Sequence, residues 1–327
     1  MSTLLQLPRE LRDQIYSYVV HVEKERPDLN QTFEQMVDPR MQRSGLAPRA
    51  SMSNQTVLYL PQDDLNTFLP LLLVNHQMSA EISQSLSRIA SPLTYSLDIV
   101  ILDEILLLPT WLSVPVHRAS VDTVNVTFRI AGSFKREKRY DKNGPYARFS
   151  WYAGFTVGDG GGPAMMYQLY EVLSRFMKNG AVGQVRDSAL SNHVTAKCIK
   201  IDILTPREVP QEQFVEPLSG HRATLQRRAV QGGVLHPRYL ANFVGNLLRA
   251  LLMGSHHTYF EYGKLLFESV DEIVLFKDGV EFRRWDVAKC LQTITVEERY
   301  VSREQMRVYK EETWRMRKAR GLKVLGD

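Results

Sequence analysis

Cysteine is nearly absent from this sequence, whose 327 residues include only Cys198 and Cys290. A disulfide framework needs more paired cysteines, so the composition predicts a reducing compartment, cytoplasmic or nuclear. No run of about 18 apolar residues without charge occurs, which predicts no membrane-spanning helix and no membrane partner. The N-terminus becomes charged after a few positions, so we expect no secretory signal.

What the sequence does contain is typical of a folded protein. Hydrophobic residues make up 44% and charged residues 24%, with a formal net charge of +5. This composition supports a buried core and excludes wholesale disorder. The stretch 301–327 holds eight basic and four acidic residues, so most of the net charge lies in this one segment. We expect a nearly neutral body, which argues against a nucleic-acid-binding domain.

Two N-terminal segments have the apolar spacing of amphipathic helices. The first is LPRELRDQIYSYVV, in which one stripe consists of Leu7, Leu11, Ile15, Tyr18 and Val19. Pro8 suits the first turn of this helix, because the N–H it lacks has no partner there. The second helix is predicted over residues 70–89. Between them, residues 21–56 are polar and aperiodic, which predicts a linker or a disordered insertion.

Beyond residue 91 the pattern changes to an alternation of apolar and polar residues. It predicts strands over 95–102, 121–130, 147–157, 197–204 and 270–276, with a return strand over 280–284. Helical spacing predicts helices over 164–178, 237–253 and 302–320. This order of elements favours parallel or mixed strands with helices on one side.

The two N-terminal segments together resemble an F-box. LPRELRDQIYSYV is similar to the opening of that family, Leu-Pro-x-Glu-Leu followed by an isoleucine and an aromatic residue or leucine at helical spacing. FLPLLLVNHQMSAEI is similar to the second half, in which an apolar run ending in valine leads a helix. The sequence is most similar to fungal F-box-like proteins, and the resemblance covers residues 4–20 and 68–90.

The fold expected from pattern and resemblance is α+β. A small split helical F-box-like unit would occupy residues 1–20 and 68–92. A mixed α/β body of strands and helices would follow over 93–300, and a basic C-terminal helix or tail over 301–327.

The resemblance also implies a function and a partner. It implies a non-enzymatic substrate-receptor subunit of a cullin–RING (SCF-type) ubiquitin ligase, which holds a Skp-type adaptor and an unknown protein target. The residues expected to bind the adaptor are Leu7, Pro8, Leu11, Ile15 and Val74. Apolar side chains on such a helix suit docking into a groove of a partner. The same side chains would equally suit packing on the body of the chain, in a scaffold that does not bind the adaptor.

Motifs that carry chemistry are weak in this sequence. The glycine loop 158–163 lacks the lysine and the serine or threonine of a phosphate-binding P-loop. The eight histidines have no metal-binding spacing, and no G-x-S-x-G motif occurs. We therefore expect no enzyme activity, cofactor or metal, with a small-molecule enzyme that uses a pocket in the body as the alternative. The basic run 315–320 suits a nuclear-import signal, an acidic partner or a solvated salt-bridged face.

Overall fold

The computed structural model describes residues 4–41, 56–60, 75–88, 92–133, 155, 163–181, 193–215, 233–254 and 257–325. Its helices are α1 (Arg9–Val20), α2 (Phe33–Met41), α3 (His76–Arg88), α4 (Ala164–Asn179), α5 (Pro237–Met253), α6 (His257–Ser269), α7 (Val287–Thr293) and α8 (Arg303–Ala319). Its strands are β1 (Thr94–Leu102), β2 (Leu106–Ser113), β3 (Ser120–Ala131), β4 (Thr195–Ile203), β5 (Phe214–Val215), β6 (Val234–Leu235), β7 (Val270–Lys277) and β8 (Val280–Asp286). The expected α+β class is confirmed.

One mixed sheet forms the centre of the described structure. Its strands lie in the order β2-β1-β3-β4-β7-β8, and β1, β3, β4 and β7 are parallel. The edge strands β2 and β8 each join by antiparallel pairing. Five predicted strands are present with ends that differ by at most two residues. The predicted strand 147–157 lies outside the described residues except for Phe155.

The sequence pattern does not predict strand β2. Its residues are apolar without alternation, and they include Pro109, which has no N–H and is tolerated only at the edge of a sheet. Here Pro109 lies opposite Ile99 on the edge strand. On the outer side, the N–H of Leu58 donates to the carbonyl of Leu107, and the N–H of Leu107 donates to the carbonyl of Thr56, both over 2.9 Å. The strand is thus buried on all sides, which explains its continuous apolar run.

Helices α4, α5 and α6 cover one face of the sheet. Val124, Val126 and Phe128 alternate along β3 and share the main core with residues of these helices. Asn125, which lies between them, is exposed on the opposite face. This alternation makes the inner strands visible in the sequence. The expectation of helices on one side of the sheet is met only in part, because helix α2 packs on the opposite face.

Helix α6 is a second element that the sequence does not predict. Its aromatic residues favour strands, and Gly263 in its interior disfavours a helix. The structure gives this glycine a packing role. A Cβ at position 263 would lie 2.2 Å from the carbonyl oxygen of Leu251, so only glycine allows α5 and α6 to approach this closely.

The segment expected to be a linker, 21–56, differs from that expectation. Residues 33–41 form helix α2, and Met36 and Val37 are buried on the sheet face opposite α4, α5 and α6. Arg40 is also buried, and its guanidinium donates to the carbonyls of Leu58 and Pro109 and to the hydroxyl of Thr110. The sequence does not predict this helix because its composition is polar. The acceptors that allow Arg40 to be buried lie far away in the sequence. Residues 42–55 lie outside the described part of the chain.

The C-terminal segment is more deeply packed than a basic tail would be. Helix α8 begins with a capping box, in which Ser302 and Gln305 bond each other's backbone N–H groups. Arg317 is 0% exposed and donates to the carbonyls of Phe267 and Val270, over 2.6 and 2.8 Å, and to the Asp271 carboxylate over 2.6 Å. The interpretation of 315–320 as one solvated or import-signal face therefore fails at this residue, since Arg317 is inaccessible in the folded chain.

Replacing Arg317 tests this attachment. Arg317→Met removes the donor to three backbone carbonyls and one of the donors to the Asp271 carboxylate, so we expect the free energy of unfolding to fall by about 3 kcal/mol. Urea unfolding followed by tryptophan fluorescence measures the change. The matched control is Arg315→Met on the exposed side of α8, which should change stability by less than about 0.5 kcal/mol. Equal effects of the two substitutions would contradict the buried role of Arg317.

Candidate partner-binding surface

Helices α1 and α3 pack together although more than fifty residues separate them in the sequence. We call residues 4–22 and 75–88 the head, and residues 92–325 the body. Tyr16 of α1 and Met78 and Ile82 of α3 are buried against one another, with Leu4 and Leu5 packed at the side. This cluster is separate from the two apolar clusters that pack against the sheet. The head therefore has a small apolar core of its own.

A buried ion pair joins the two helices of the head. The Arg12 guanidinium donates to the Glu81 carboxylate through Nε, over 2.8 Å, and through Nη2, over 2.6 Å. The same carboxylate accepts from the Tyr16 hydroxyl at 3.0 Å and from the Gln77 amide at 3.0 Å. Both oxygens are thus used, which is the condition under which a buried carboxylate is tolerated.

The same arginine also fixes the turn that precedes α1. The Nη1 atom of Arg12 donates to the carbonyl of Leu7, and to that of Leu5 at 3.3 Å. A second contact between the helices runs from the Ser85 hydroxyl to the Asp13 carboxylate, at 2.8 Å. Hydrogen bonds from Arg12 therefore fix the Leu-Pro corner at residues 7 and 8.

These contacts perturb the acid–base properties of the head. Hydrogen bonds from Arg12 lower the pKa of Glu81 to about 2, in spite of its burial. Burial, helped by the neighbouring Glu81 carboxylate, raises the pKa of Tyr16. The carboxylate is therefore charged and the phenol is neutral at physiological pH, which is the pair of states that the hydrogen bonds require.

The structure describes four of the five residues expected to bind an adaptor. Leu11 is 45% exposed and Pro8 is also exposed, whereas Leu7 and Ile15 are half-buried. Val74 lies outside the described residues. The alternative in which this stripe packs on the body does not hold for Leu11, because that side chain faces solvent.

Two further apolar residues extend this surface. Tyr18 is 78% exposed and Val22 is 50% exposed. At about 100° per residue, Tyr18 lies on the same side of α1 as Leu11 and Ile15, and Val22 follows two residues beyond the end of the helix. We call these four residues the exposed stripe. The spacing of Tyr18 was available from the sequence. Val22 was not distinguishable, because it follows the end of the helix in a segment that reads as a linker.

The buried side of α1 is polar as well as apolar. Its buried residues are Arg12, Tyr16 and Val20, at intervals of four. Sequence patterns assign an arginine to solvent, so they do not predict that Arg12 is buried. Arg12 is buried because it finds its partner on α3, and the side of α1 that carries Leu11 remains exposed.

Comparison with known proteins does not identify a relative. No family model matches the chain, and neither a curated protein nor a solved structure gives a significant match. None of the helices in the described ranges has the combination of length and apolar character that crossing a bilayer requires. Among the same residues, no group of three or more histidine, cysteine or acidic side chains is arranged to hold a metal ion.

Substituting Glu81 tests the ion pair and its pH dependence. Because the pKa of Glu81 is lowered from 4.5 to about 2, its charge stabilises the folded head above about pH 4.5, and this contribution is lost as the pH falls toward 2. We expect hydrogen exchange in 9–20 and 76–88 to be at least about tenfold faster in Glu81→Gln than in the native chain at pH 7.

The ratio between the two proteins should shrink between pH 5 and pH 2. Exchange measured by mass spectrometry at matched pH cancels the intrinsic pH dependence. Glu10→Gln, at an exposed position of α1, serves as the control and should match the native chain throughout. A ratio that stays constant down to pH 2 would contradict the lowered pKa.

Proposed function

We propose that this chain is a non-enzymatic interaction protein whose head docks on a partner through the exposed stripe and the Leu-Pro corner. The resemblance of the head to an F-box suggests the partner, a Skp-type adaptor of a cullin–RING ubiquitin ligase. The chain would then be a substrate receptor, which brings a target close to the enzyme that modifies it. Its site residues are Leu7, Pro8, Leu11, Ile15 and Val74.

The distribution of exposed apolar side chains carries this proposal. Six large apolar side chains are exposed in the described residues, and three of them, Leu11, Tyr18 and Val22, lie within twelve residues of one another. Isolated exposed apolar residues are ordinary on protein surfaces, but a cluster of them in one short segment is typical of an interaction site. The face suits the mode in which an amphipathic helix enters an apolar groove.

Energetics indicates how much of the surface a partner must cover. Burying one leucine, valine or isoleucine side chain contributes roughly 1.5–3 kcal/mol. Association costs at least about 4 kcal/mol in lost rigid-body freedom, and ordering of side chains adds to this. Leu11 and Val22 alone therefore give little surplus. A stable complex needs Tyr18, Ile15 and Leu7 as well, so the corner and the stripe are proposed to act together.

The apolar cavity in the body gives no support to the alternative of a small-molecule enzyme. The described residues enclose an apolar cavity of about 80 Å³ between the sheet and helices α4 and α5. Its walls include Trp111, Phe176 and Leu248, but no carboxylate, imidazole, amine or thiol. General acid–base catalysis needs such groups within reach of a substrate, so this cavity does not favour catalysis.

Introducing negative charge on α1 tests adaptor docking. Leu11→Asp combined with Ile15→Asp places two carboxylates where apolar contact is proposed. We expect adaptor recovery in co-purification to fall at least about thirtyfold, since each apolar hot spot contributes about 2 kcal/mol or more. Tyr18→Asp is the second variant, and its high exposure means that it should weaken binding without affecting the fold.

The control is Val308→Asp, an exposed valine on α8 that lies outside the head. It should leave adaptor recovery at the native level. If the native chain recovers no adaptor, the scaffold alternative is favoured. Undiminished recovery with the double variant would refute docking through this face.

A further inference from the structure

The core of the body is incompletely packed over the central strands of the sheet. The apolar cavity of about 80 Å³ lies there, between the sheet and helices α4 and α5, and we call it the core cavity. Protein interiors contain few voids larger than a water molecule. Since a water molecule occupies about 30 Å³ of the liquid, the core cavity has roughly the volume of two to three water molecules. It is therefore larger than an ordinary packing defect.

The side chain of Ile201 shows where the packing is incomplete. Ile199, Ile201 and Ile203 alternate along β4 on the sheet face that α4, α5 and α6 cover. Ile199 is 3% exposed and Ile203 is 0% exposed, whereas Ile201 between them is only partly buried and lines the core cavity. The middle residue of a covered strand face is expected to be as buried as its neighbours. The gap in the packing therefore lies over Ile201.

The two flanking helices line the core cavity with apolar side chains at helical spacing. These residues are Leu169, Leu173 and Phe176 from α4, and Val244, Leu248 and Leu251 from α5. From its first to its last residue, each set rises about 10 Å along its helix. A volume of about 80 Å³ over that length describes a narrow, elongated space, which suits a chain of atoms better than a ring.

Helix α6 joins the two helices that flank the core cavity. The ring of Tyr262 lies against that of Tyr170 on α4, with the ring centroids 4.4 Å apart. Gly263 packs directly on the backbone of Leu251 on α5. Tyr170 and Leu251 both line the core cavity, so α6 fixes the two sides of the cavity relative to each other. A site that is formed before the ligand enters loses little entropy on binding.

The surface of the core cavity favours an apolar occupant over water. The described residues that line it present apolar atoms to the space between them. A buried water molecule needs two to four polar partners, whereas an engineered apolar cavity of about 150 Å³ stays dry and binds benzene or xenon. Transfer of an apolar group from water into such a space is favourable. We infer that the core cavity is a binding site for a small apolar ligand, a short unbranched aliphatic chain.

Methyl NMR spectra of the full chain test this site independently of adaptor docking. The probes are xenon, propane and benzene. We expect the methyl resonances of Val126, Leu173 and Ile201 to shift saturably with xenon and with propane, with dissociation constants of roughly millimolar size. Those of Leu106, which is buried with α2 on the opposite face of the sheet, should not shift.

The third probe tests the shape of the ligand. Benzene should bind at least about tenfold more weakly than propane, because a ring overfills a narrow space. Benzene binding as tight as that of propane would overturn the assignment of an unbranched chain.

Variants that fill the core cavity complete the test. Val126→Ile adds one carbon atom to a lining side chain of β3, and should weaken propane binding at least about tenfold because it occupies the space of the ligand. Its midpoint of thermal unfolding should not fall, since an added carbon destabilises only a core that is already full. Val244→Ile on α5 is the second variant, with the same expectations.

The matched control is Val280→Ile, the same substitution at a position of β8 that is 71% exposed. It should bind propane like the native chain. Absence of saturable shifts in the native chain, or native affinity in both filled variants, would overturn the inference.

Discussion

Within the described residues, three buried arginines attach peripheral helices of this protein, and each donates to several oxygen acceptors. Arg12 joins α1 to α3, Arg40 joins α2 to the edge of the sheet, and Arg317 joins α8 to β7 and the end of α6. A guanidinium has five N–H donors and no acceptor, so each one organises several oxygens at once. Burial lowers the pKa of Arg40 to about 10, which still leaves it charged at neutral pH. The outer elements thus combine apolar packing with these buried polar contacts.

The inner strands and long helices could be predicted from the sequence because their signals are local. The alternation in β3 and the four-residue spacing in α5 are readable within a dozen residues. Helix α2 and the burial of Arg317 could not be predicted in this way, because acceptors of Arg40 and Arg317 lie tens of residues away in the sequence. Strand β2 was not predicted for a different reason. A proline argues against a strand unless that strand lies at the edge of the sheet, and the sequence does not show which strands are at the edge.

The head shows the same limit at smaller scale. The positions of Leu11 and Ile15 on one face of a helix followed from their spacing. The spacing does not show which face packs inward. That is decided by the hydrogen bonds of Arg12 and Tyr16 with Glu81 on helix α3.

The chain between head and body is anchored almost as soon as it leaves the exposed stripe. The N–H of Lys24 donates to the carbonyl of Leu112 on the edge strand at 2.8 Å, and the carbonyl of Pro27 accepts from Arg129 at 2.8 Å. Only one residue separates Val22 from Lys24, and an extended chain spans at most about 3.6 Å per residue. The segment that connects α1 to the body is therefore too short to let the two move far apart. A molecule bound to the body would therefore stay at a nearly fixed distance from helix α1.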